Sequence, residues 1–357
     1  MKVLALNSSP RTGNKSKTEL LLNHLVRGMR EAGADVEEVE LRKKSIRSCI
    51  GCFTCWTKTP GVCIHKDDMT RELFPKWKEA DLVVYATPLY HFTANASMKA
   101  FIERTLPALQ PFFKERDGKT SHPARFRHPK VVVLSVAGFP EMSVFDQLSS
   151  WANFVFGRSG ALVAEIYRPM AESMTTPFHR AKAEEALQAT VQAGREIVET
   201  MRVSEETLAR VTQPLVKDPR PFFEIANLMW KTCIAEGVTP GELAERRLVP
   251  RPDSLESFMA ILSMGFRPEE AGDMRATIQF RFTGEVEGAC RFRIENSRIE
   301  AAVGAEESPD LAIEAPFSLW MDILAGKADG RRMFMEQKYK VAGDLSLLAG
   351  LSRLFGG

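Results

Sequence analysis

The hydrophobic pattern changes period twice along the chain. Residues 1–7 (MKVLALN) are a short apolar run, residues 8–18 (SSPRTGNKSKT) are turn-rich, and Leu21, Leu22, Leu25, Val26 and Met29 then keep a helical spacing up to Gly33. That order predicts strand, loop and helix. Further strands are predicted at 36–41, 80–88, 130–138 and 160–167, and helices at 96–106 and 179–200. Runs such as ADLVVYATP and KVVVLSVAG are apolar almost without interruption, as strands covered on both faces are. Residues 1–200 therefore predict an α/β domain with a doubly wound, five-stranded parallel sheet.

From 201 to 253 prolines and charges dominate, predicting a connecting region of short helices and turns. After it, LESFMAILSMGF is apolar at helical spacing, and TIQFRFTG, ACRFRIEN and SRIEAAVG alternate in the two-residue period of half-buried strands, with turns at Gly284 and Asn296. DLAIEAP, SLWMDILAG and KYKVAGDLSLLAGLSRLF complete a second, α+β domain over 254–357, with helices on one side of an antiparallel sheet. Phe258, Met259, Ile261, Leu262, Met264, Phe266, Trp320, Met321, Ile323, Leu324, Met333, Phe334 and Met335 could fill a core there or line an adaptable apolar tunnel.

Composition narrows the function classes. The 357 residues carry 48 basic and 46 acidic side chains, a net charge of +2, so nothing draws the whole chain to nucleic acid or to a membrane surface. The first apolar run is too short for a membrane anchor or signal peptide, and four of the six cysteines cluster within 49–63, which suits a site in a cytoplasmic protein better than a secreted disulfide framework.

Three loops follow predicted strands, at the edge where open α/β sheets bind ligands. In the first, the hydroxyls of Ser9, Ser16 and Thr18, the Arg11 guanidinium and the helix N-terminus could hold a terminal phosphate, with Gly13 bending the backbone around it; an ordinary capped helix start has the same residues. Neither G-x-G-x-x-G nor a G-K-[ST] ending is present. The second loop, Thr87 to Ala94, is aromatic and polar; the third is Ala137-Gly138-Phe139-Pro140. Together they suit a flat heteroaromatic cofactor such as FMN. Of the six histidines, only His91 lies in a candidate active loop, either as the catalytic donor to flavin or substrate or as a structural residue.

Cys49, Cys52 and Cys55 stand at steps of three, and Cys63 follows after seven residues. This spacing suits a [4Fe–4S] cluster, while zinc, a dithiol and buried thiols remain alternatives. His65 reads as a solvated or capping residue, Asp67 and Asp68 as anchors of the returning helix, and Cys233 and Cys290 as buried singletons.

Residues 1–200 resemble the flavodoxin-like NAD(P)H-dependent FMN reductases, and specifically their iron–sulfur flavoprotein branch, through SSPRTGNKSKTELL, CIGCFTCW with CIHKDDM, and ATPLYHFTANASMKAFIERT. The resemblance implies a flavodoxin-like sheet with the cysteine-rich insert at 45–68. It implies Ser9, Arg11, Asn14, Ser16, Lys17 and Thr18 around the FMN phosphate, and Pro88, Leu89, Tyr90, His91 and Phe92 along the isoalloxazine and ribityl. Ala137, Gly138 and Phe139 would close the third side. The sequence RTGNKSKT lacks the small residue usual after the Gly-Asn pair, which leaves open whether Ser16, Lys17 or Thr18 touches the phosphate. NAD(P)H or a redox carrier as electron source, a homo-oligomer (dimer or tetramer) and cysteine ligation of a [4Fe–4S] cluster are further implications. Residues 254–357 resemble the SCP2 sterol-carrier fold, through Lys327-Ala328-Asp329-Gly330 before a helix and Gly343-Asp344 before the last one. That implies a lipophilic ligand. The competing expectation is a non-catalytic lipid carrier whose first domain is stabilised by zinc or thiols.

Overall fold

A computed structural model of the chain describes residues 1–116, 118–176, 179–216, 218–246, 248 and 250–355, without the side chains of Asn14 and Arg116. It divides into two compact units, Met1–Lys217 and Asp218–Gly357.

In the first unit, strands β1 (Lys2–Asn7), β2 (Asp35–Glu40), β3 (Leu82–Tyr90), β4 (Lys130–Val136) and β5 (Leu162–Arg168) form a parallel sheet in the order β2-β1-β3-β4-β5. The helices are α1 (Lys17–Glu31), α2 (Phe74–Glu79), α3 (Ala96–Glu103), α4 (Asp146–Ala152), α5 (Arg180–Thr200) and α6 (Glu205–Thr212). One face of the sheet buries Leu4, Leu6, Val83, Tyr85, Val131 and Val133 against Leu73, Trp77, Phe101 and Phe145. Elsewhere α1 meets α5 almost backbone to backbone. A Cβ on Gly28 would lie 1.9 Å from the Val191 carbonyl oxygen, and one on Gly194 would lie 2.2 Å from that of Leu25. Only glycine permits that approach. Strand β3 runs two residues beyond the apolar run because Leu89 and Tyr90 pair with Ala94 and Thr93 of a short return strand.

The second unit contains α7 (Arg220–Glu236), α8 (Pro240–Glu245), α9 (Leu255–Gly265) and α10 (Pro268–Ala271). They precede β6 (Ala276–Thr283), β7 (Gly288–Glu295), β8 (Arg298–Val303) and β9 (Leu311–Pro316), then α11 (Phe317–Leu324), α12 (Gly330–Met335), β10 (Lys340–Gly343) and α13 (Leu345–Phe355). The strand order is β8-β7-β6-β9-β10. Here the structure corrects the expectation of an antiparallel sheet: β6 and β9 are parallel, so the sheet is mixed. The chain leaves β8 by a crossing segment instead of a hairpin, and Glu306 in that segment donates its backbone N–H to Gln279 Oε1 on β6 at 2.6 Å.

Core packing also bears on the choice between core and tunnel. The Phe258 ring meets those of Phe280, Phe282 and Phe292 at centroid distances of 5.0–5.9 Å, and Trp320 meets Phe280 at 5.2 Å. Around Phe258 the apolar set is packed side chain. Leu324, Phe334 and Met335 are exposed, and Met259, Ile261, Met264 and Phe266 are half-buried. Among the described residues, no helix is long and apolar enough to cross a membrane.

Candidate functional site

Because the five strands are parallel, the segments following them emerge at one edge of the sheet, and the order reverses between β1 and β3, where open α/β sheets place their ligands. After β1 the chain enters a cradle of buried hydroxyls. Ser9 and Ser16 are buried, and the Ser16 hydroxyl donates to Ser9 Oγ at 2.9 Å while accepting the Glu19 N–H at 3.1 Å, which caps α1. Ser9 Oγ also accepts the Arg11 N–H at 3.2 Å, and Gly13 takes a left-handed φ of +55°. Asn95 steadies the cradle from the next loop: its amide donates to the Ser8 carbonyl at 2.7 Å, and its oxygen caps α3 through the Met98 N–H. Thr18 is buried in the first turn of α1. The side chain of Asn14, expected at the phosphate, lies outside the described residues.

The cationic side of this cradle already holds an oxyanion. Arg11 Nη1 donates to Glu172 Oε1 at 2.7 Å, and Lys17 Nζ is 3.9 Å from the same carboxylate. Burial lowers the Lys17 pKa; attraction to Glu172 opposes that shift and repulsion from Arg11 adds to it. A carboxylate in contact with a guanidinium presents the same acceptor chemistry as a phosphate, so the donor set fits a phosphate ester.

After β3, Tyr90 and Thr93 close a two-residue hairpin whose central residues, His91 and Phe92, have φ of +47° and +63°. Asn or Gly normally occupies such positions, and two bulky residues there are held at a backbone cost of roughly 1–3 kcal/mol each. The hairpin leaves Tyr90 and Phe92 exposed. The Phe92 ring lies nearly parallel to that of Phe139, at an interplanar angle of 10° and a centroid distance of 6.4 Å. The third loop is fixed from β5: Ala137 N–H donates to the Arg168 carbonyl, Met170 N–H to that of Phe139, and Ala171 N–H to that of Ala137. Thus the hydroxyl cradle, the aromatic hairpin and the Ala137-Gly138-Phe139 segment are three supported pieces of one sheet edge. Pro88 and Leu89 are the last buried and half-buried residues of β3 before the hairpin.

The cysteine insert follows β2 and packs against the end of α3. Cys49, Cys52, Cys55 and Cys63 line one partly open cavity with His65, Glu103, Arg104, Leu106 and Pro107. Ile50, Phe53 and Ile64 expose apolar side chains around it. Burial pushes the Cys55 thiol up, and the neighbouring Cys63, Cys49 and Cys52 add to the shift. At the exposed end Cys52 is lowered, chiefly by hydrogen bonding to Thr54. Among the described residues no group of three or more His, Cys, Asp or Glu side chains is placed to hold a single metal ion. The four thiols surround a cavity.

The neck of this insert is a buried ion pair. Arg104 Nη1 and Nη2 donate to the Asp67 carboxylate at 2.7 and 3.0 Å, with side-chain exposures of 1% and 2% for Arg104 and Asp67. Asp67 also accepts the N–H groups of Arg47 and Thr70, and Asp68 accepts that of Ser45, so both acids tie the two ends of the insert together. Burial alone would raise the Asp67 carboxyl, but the Arg104 hydrogen bonds, the two backbone N–H groups and the Arg104 charge outweigh it and hold the acid well below the usual carboxylate range. Burial likewise disfavours the Arg104 cation, while Asp67 and Cys63 raise its pKa. His65, expected as a solvated or capping residue, has its Nε2 sealed in the structure without a hydrogen-bond partner among the described residues.

Comparison with known proteins agrees with this division. Residues 1–156 match the NADPH-dependent FMN reductase family, and residues 267–356 match the SCP-2 sterol transfer family. An iron–sulfur flavoprotein of Archaeoglobus fulgidus is 40% identical over 143 residues, covering 40% of this chain and 58% of that protein. The chain joins a flavodoxin-like, iron–sulfur-flavoprotein-like domain to an SCP2-like domain. A second iron–sulfur flavoprotein, from Methanocaldococcus jannaschii, is 34% identical over 107 residues, 30% of this chain and 53% of that protein. The chain thus spans little more than half the length of these relatives. Among solved structures, an NAD(P)H:quinone oxidoreductase from Methanothermobacter marburgensis aligns with 55% of this chain and 96% of its own at 20% identity and a TM-score of 0.42.

Two residues of the flavoprotein-like domain escaped sequence reasoning. Glu172 lies 161 positions from Arg11, and Arg104 lies 37 from Asp67, so no spacing announces either pair. Asn95, which the structure shows capping α3, was likewise not singled out, although it stands directly before the helix.

Proposed function

We propose that the chain is a flavin-dependent oxidoreductase that binds FMN at the C-terminal edge of its parallel sheet, with a [4Fe–4S] cluster on Cys49, Cys52, Cys55 and Cys63. NAD(P)H or a redox carrier would reduce it, and the acceptor would be lipophilic. The observation that carries this reading is that the buried hydroxyl cradle and two near-parallel exposed rings stand on segments leaving the same edge of the parallel sheet. When bound, FMN supplies hydride acceptance and one-electron release, and an iron–sulfur cluster supplies single-electron transfer.

The chain's own residues have defined tasks. Ser9, Ser16 and the N-terminus of α1 hold the phosphate, and Arg11 turns from Glu172 to meet it. Phe92, Tyr90 and Phe139 cover the ring system and exclude water. His91, exposed at the hairpin tip, offers a hydrogen bond to the flavin or the substrate. Four thiols lining one cavity, the first three at steps of three residues, suit a polynuclear cluster. The lipophilic acceptor is suggested by the SCP2-like domain and by the half-buried apolar side chains of α9. A homo-oligomer and a cytoplasmic setting belong to the same proposal.

The test is an anaerobic visible spectrum of purified protein before and after NADH or NADPH, with iron and acid-labile sulfide analysis and light scattering. Flavin bands that bleach on adding nicotinamide, with iron and sulfide present, are expected. Protein that stays colourless after incubation with FMN overturns the flavin assignment, and zinc in place of iron overturns the cluster.

A further inference from the structure

Two buried nitrogen atoms at the cysteine cavity have no hydrogen-bond partner among the described residues. A guanidinium has five N–H groups. In Arg104, Nη1 uses two of them on the Arg47 carbonyl and Asp67 Oδ2, both at 2.7 Å. Nη2 uses two more, on Asp67 Oδ1 at 3.0 Å and Thr70 Oγ1 at 2.9 Å. The fifth, on Nε, is sealed from solvent and unpaired, and so is Nε2 of His65. Both residues line the cavity that the four cysteines line.

A buried polar nitrogen without a partner costs roughly 1–3 kcal/mol; Arg104 Nε–H can only donate, and His65 joins it as a donor in its Nε2–H tautomer, so the pair points to an acceptor that belongs there. Of the remaining lining, Ile50, Phe53, Ile64, Leu106 and Pro107 are apolar, and the Glu103 carboxylate is exposed and paired with Lys99. Sulfur carrying negative charge is the acceptor chemistry that four thiolates and a sulfide cluster provide.

We propose that Arg104 Nε–H and His65 Nε2–H donate hydrogen bonds to the sulfurs of the group held by Cys49, Cys52, Cys55 and Cys63, and that they raise its reduction potential. The inference rests on the cluster reading above. One-electron reduction adds one negative charge to the sulfur-rich group and breaks no bond; donors pointing at sulfur, and a buried cation beside it, stabilise the reduced form more than the oxidised one. Asp67 is the positioning residue in this scheme. Asp67 locks the guanidinium so that Nε faces away from the carboxylate.

The experiment uses full-length protein reconstituted anaerobically with iron and sulfide, titrated with dithionite through redox mediators. Arg104→Lys keeps a cation beside Asp67 without the Nε donor, and His65→Phe removes the second donor while keeping a ring. Each variant is expected to be about tenfold more oxidised at the wild-type midpoint, a shift of about 59 mV for a one-electron couple. The iron–sulfur stretching bands of the wild type should shift in deuterium oxide and lose that sensitivity in the variants, which a purely structural role would not produce. Should Arg104→Lys not fold, the neutral pair Asp67→Asn with Arg104→Gln carries the same expectation. Loaded variants with unchanged midpoints and unchanged deuterium shifts overturn the inference. Wild-type protein that takes up neither iron nor sulfide overturns the cluster reading, and with it the acceptor invoked here.

Discussion

Replacing Asp67 by alanine removes the acceptor of four hydrogen bonds at the neck of the cysteine insert, two from Arg104 and one each from the Arg47 and Thr70 backbones. The Arg104 cation then stays in the interior without its counter-charge, because the Arg47 carbonyl and the Thr70 hydroxyl that remain beside it are neutral. Removing one member of a buried pair costs about 3–5 kcal/mol. For a unit of this size each kcal/mol lowers Tm by roughly 2–4 °C, so Asp67→Ala should melt the first unit about 6–20 °C earlier. Asp67→Asn keeps an oxygen for the backbone N–H groups and should lose about half as much. Thermal unfolding followed by circular dichroism, with limited trypsin digestion at Lys58 and Lys66, measures both the stability and the opening of the insert. A loss under about 1 kcal/mol at neutral pH would refute the reasoning, since it would mean that water reaches Arg104.

The pH dependence has a definite sign. The Asp67 carboxyl is held below its ordinary value of 3.8, so its contribution is fully present above that value and is lost as the pH falls through the depressed one. The stability gap between wild type and Asp67→Ala should therefore be flat from pH 8 to about 5 and narrow only in stronger acid. A gap that closes near neutrality would assign the effect to another group.

Four further outcomes are expected. Gly28→Ala places a methyl 1.9 Å from the Val191 carbonyl oxygen, so it should cost about 3 kcal/mol or more in urea unfolding of the first unit, against a few tenths for an exposed helix site. Phe258→Ala empties the centre of a four-ring cluster and should cost about 3–5 kcal/mol, read as the melting of the second unit; an unchanged melt would return that region to the tunnel reading. Alkylation of metal-free protein followed by mass spectrometry should label exposed Cys52, whose pKa is lowered, before Cys55, and should leave Cys290 unmodified, its thiol being pushed up to about 12 by burial. Glu172→Gln frees Arg11 from an exposed ion pair worth about 1 kcal/mol at most, so FMN should bind up to about fivefold tighter with riboflavin unchanged, as fluorescence titration would show.

Sequence alone determined the elements whose burial leaves a period along the chain. Leu21, Leu22, Leu25, Val26 and Met29 identify α1 because a helix packed on one face must repeat its apolar side chains every three to four residues. The near-continuous apolar runs of β3 and β4 mark strands covered on both sides, and with the crossover helices they imply a parallel sheet. The cysteine spacing and the turn-rich loop after β1 were legible for a similar reason: their chemistry is concentrated within a few residues. The extension of β3 to Tyr90 was not, because it depends on pairing with Thr93 and Ala94 across an unusual turn.

Tertiary structure decided whatever depends on partners distant in sequence. The parallel pairing of β6 with β9 follows from a crossing segment whose path no alternation records. Phe258 reads as apolar in either a core or a tunnel, and only its three ring contacts place it in packed interior. The pairing of Arg104 with Asp67, the occupation of Arg11 by Glu172, and the closure of four cysteines around one cavity arise because the sheet and its helices bring separate segments together. Hydrophobic burial imprints its geometry on neighbouring positions. An ion pair or a ligand cavity requires only that its members meet in space, and their separation along the chain carries no record of that meeting.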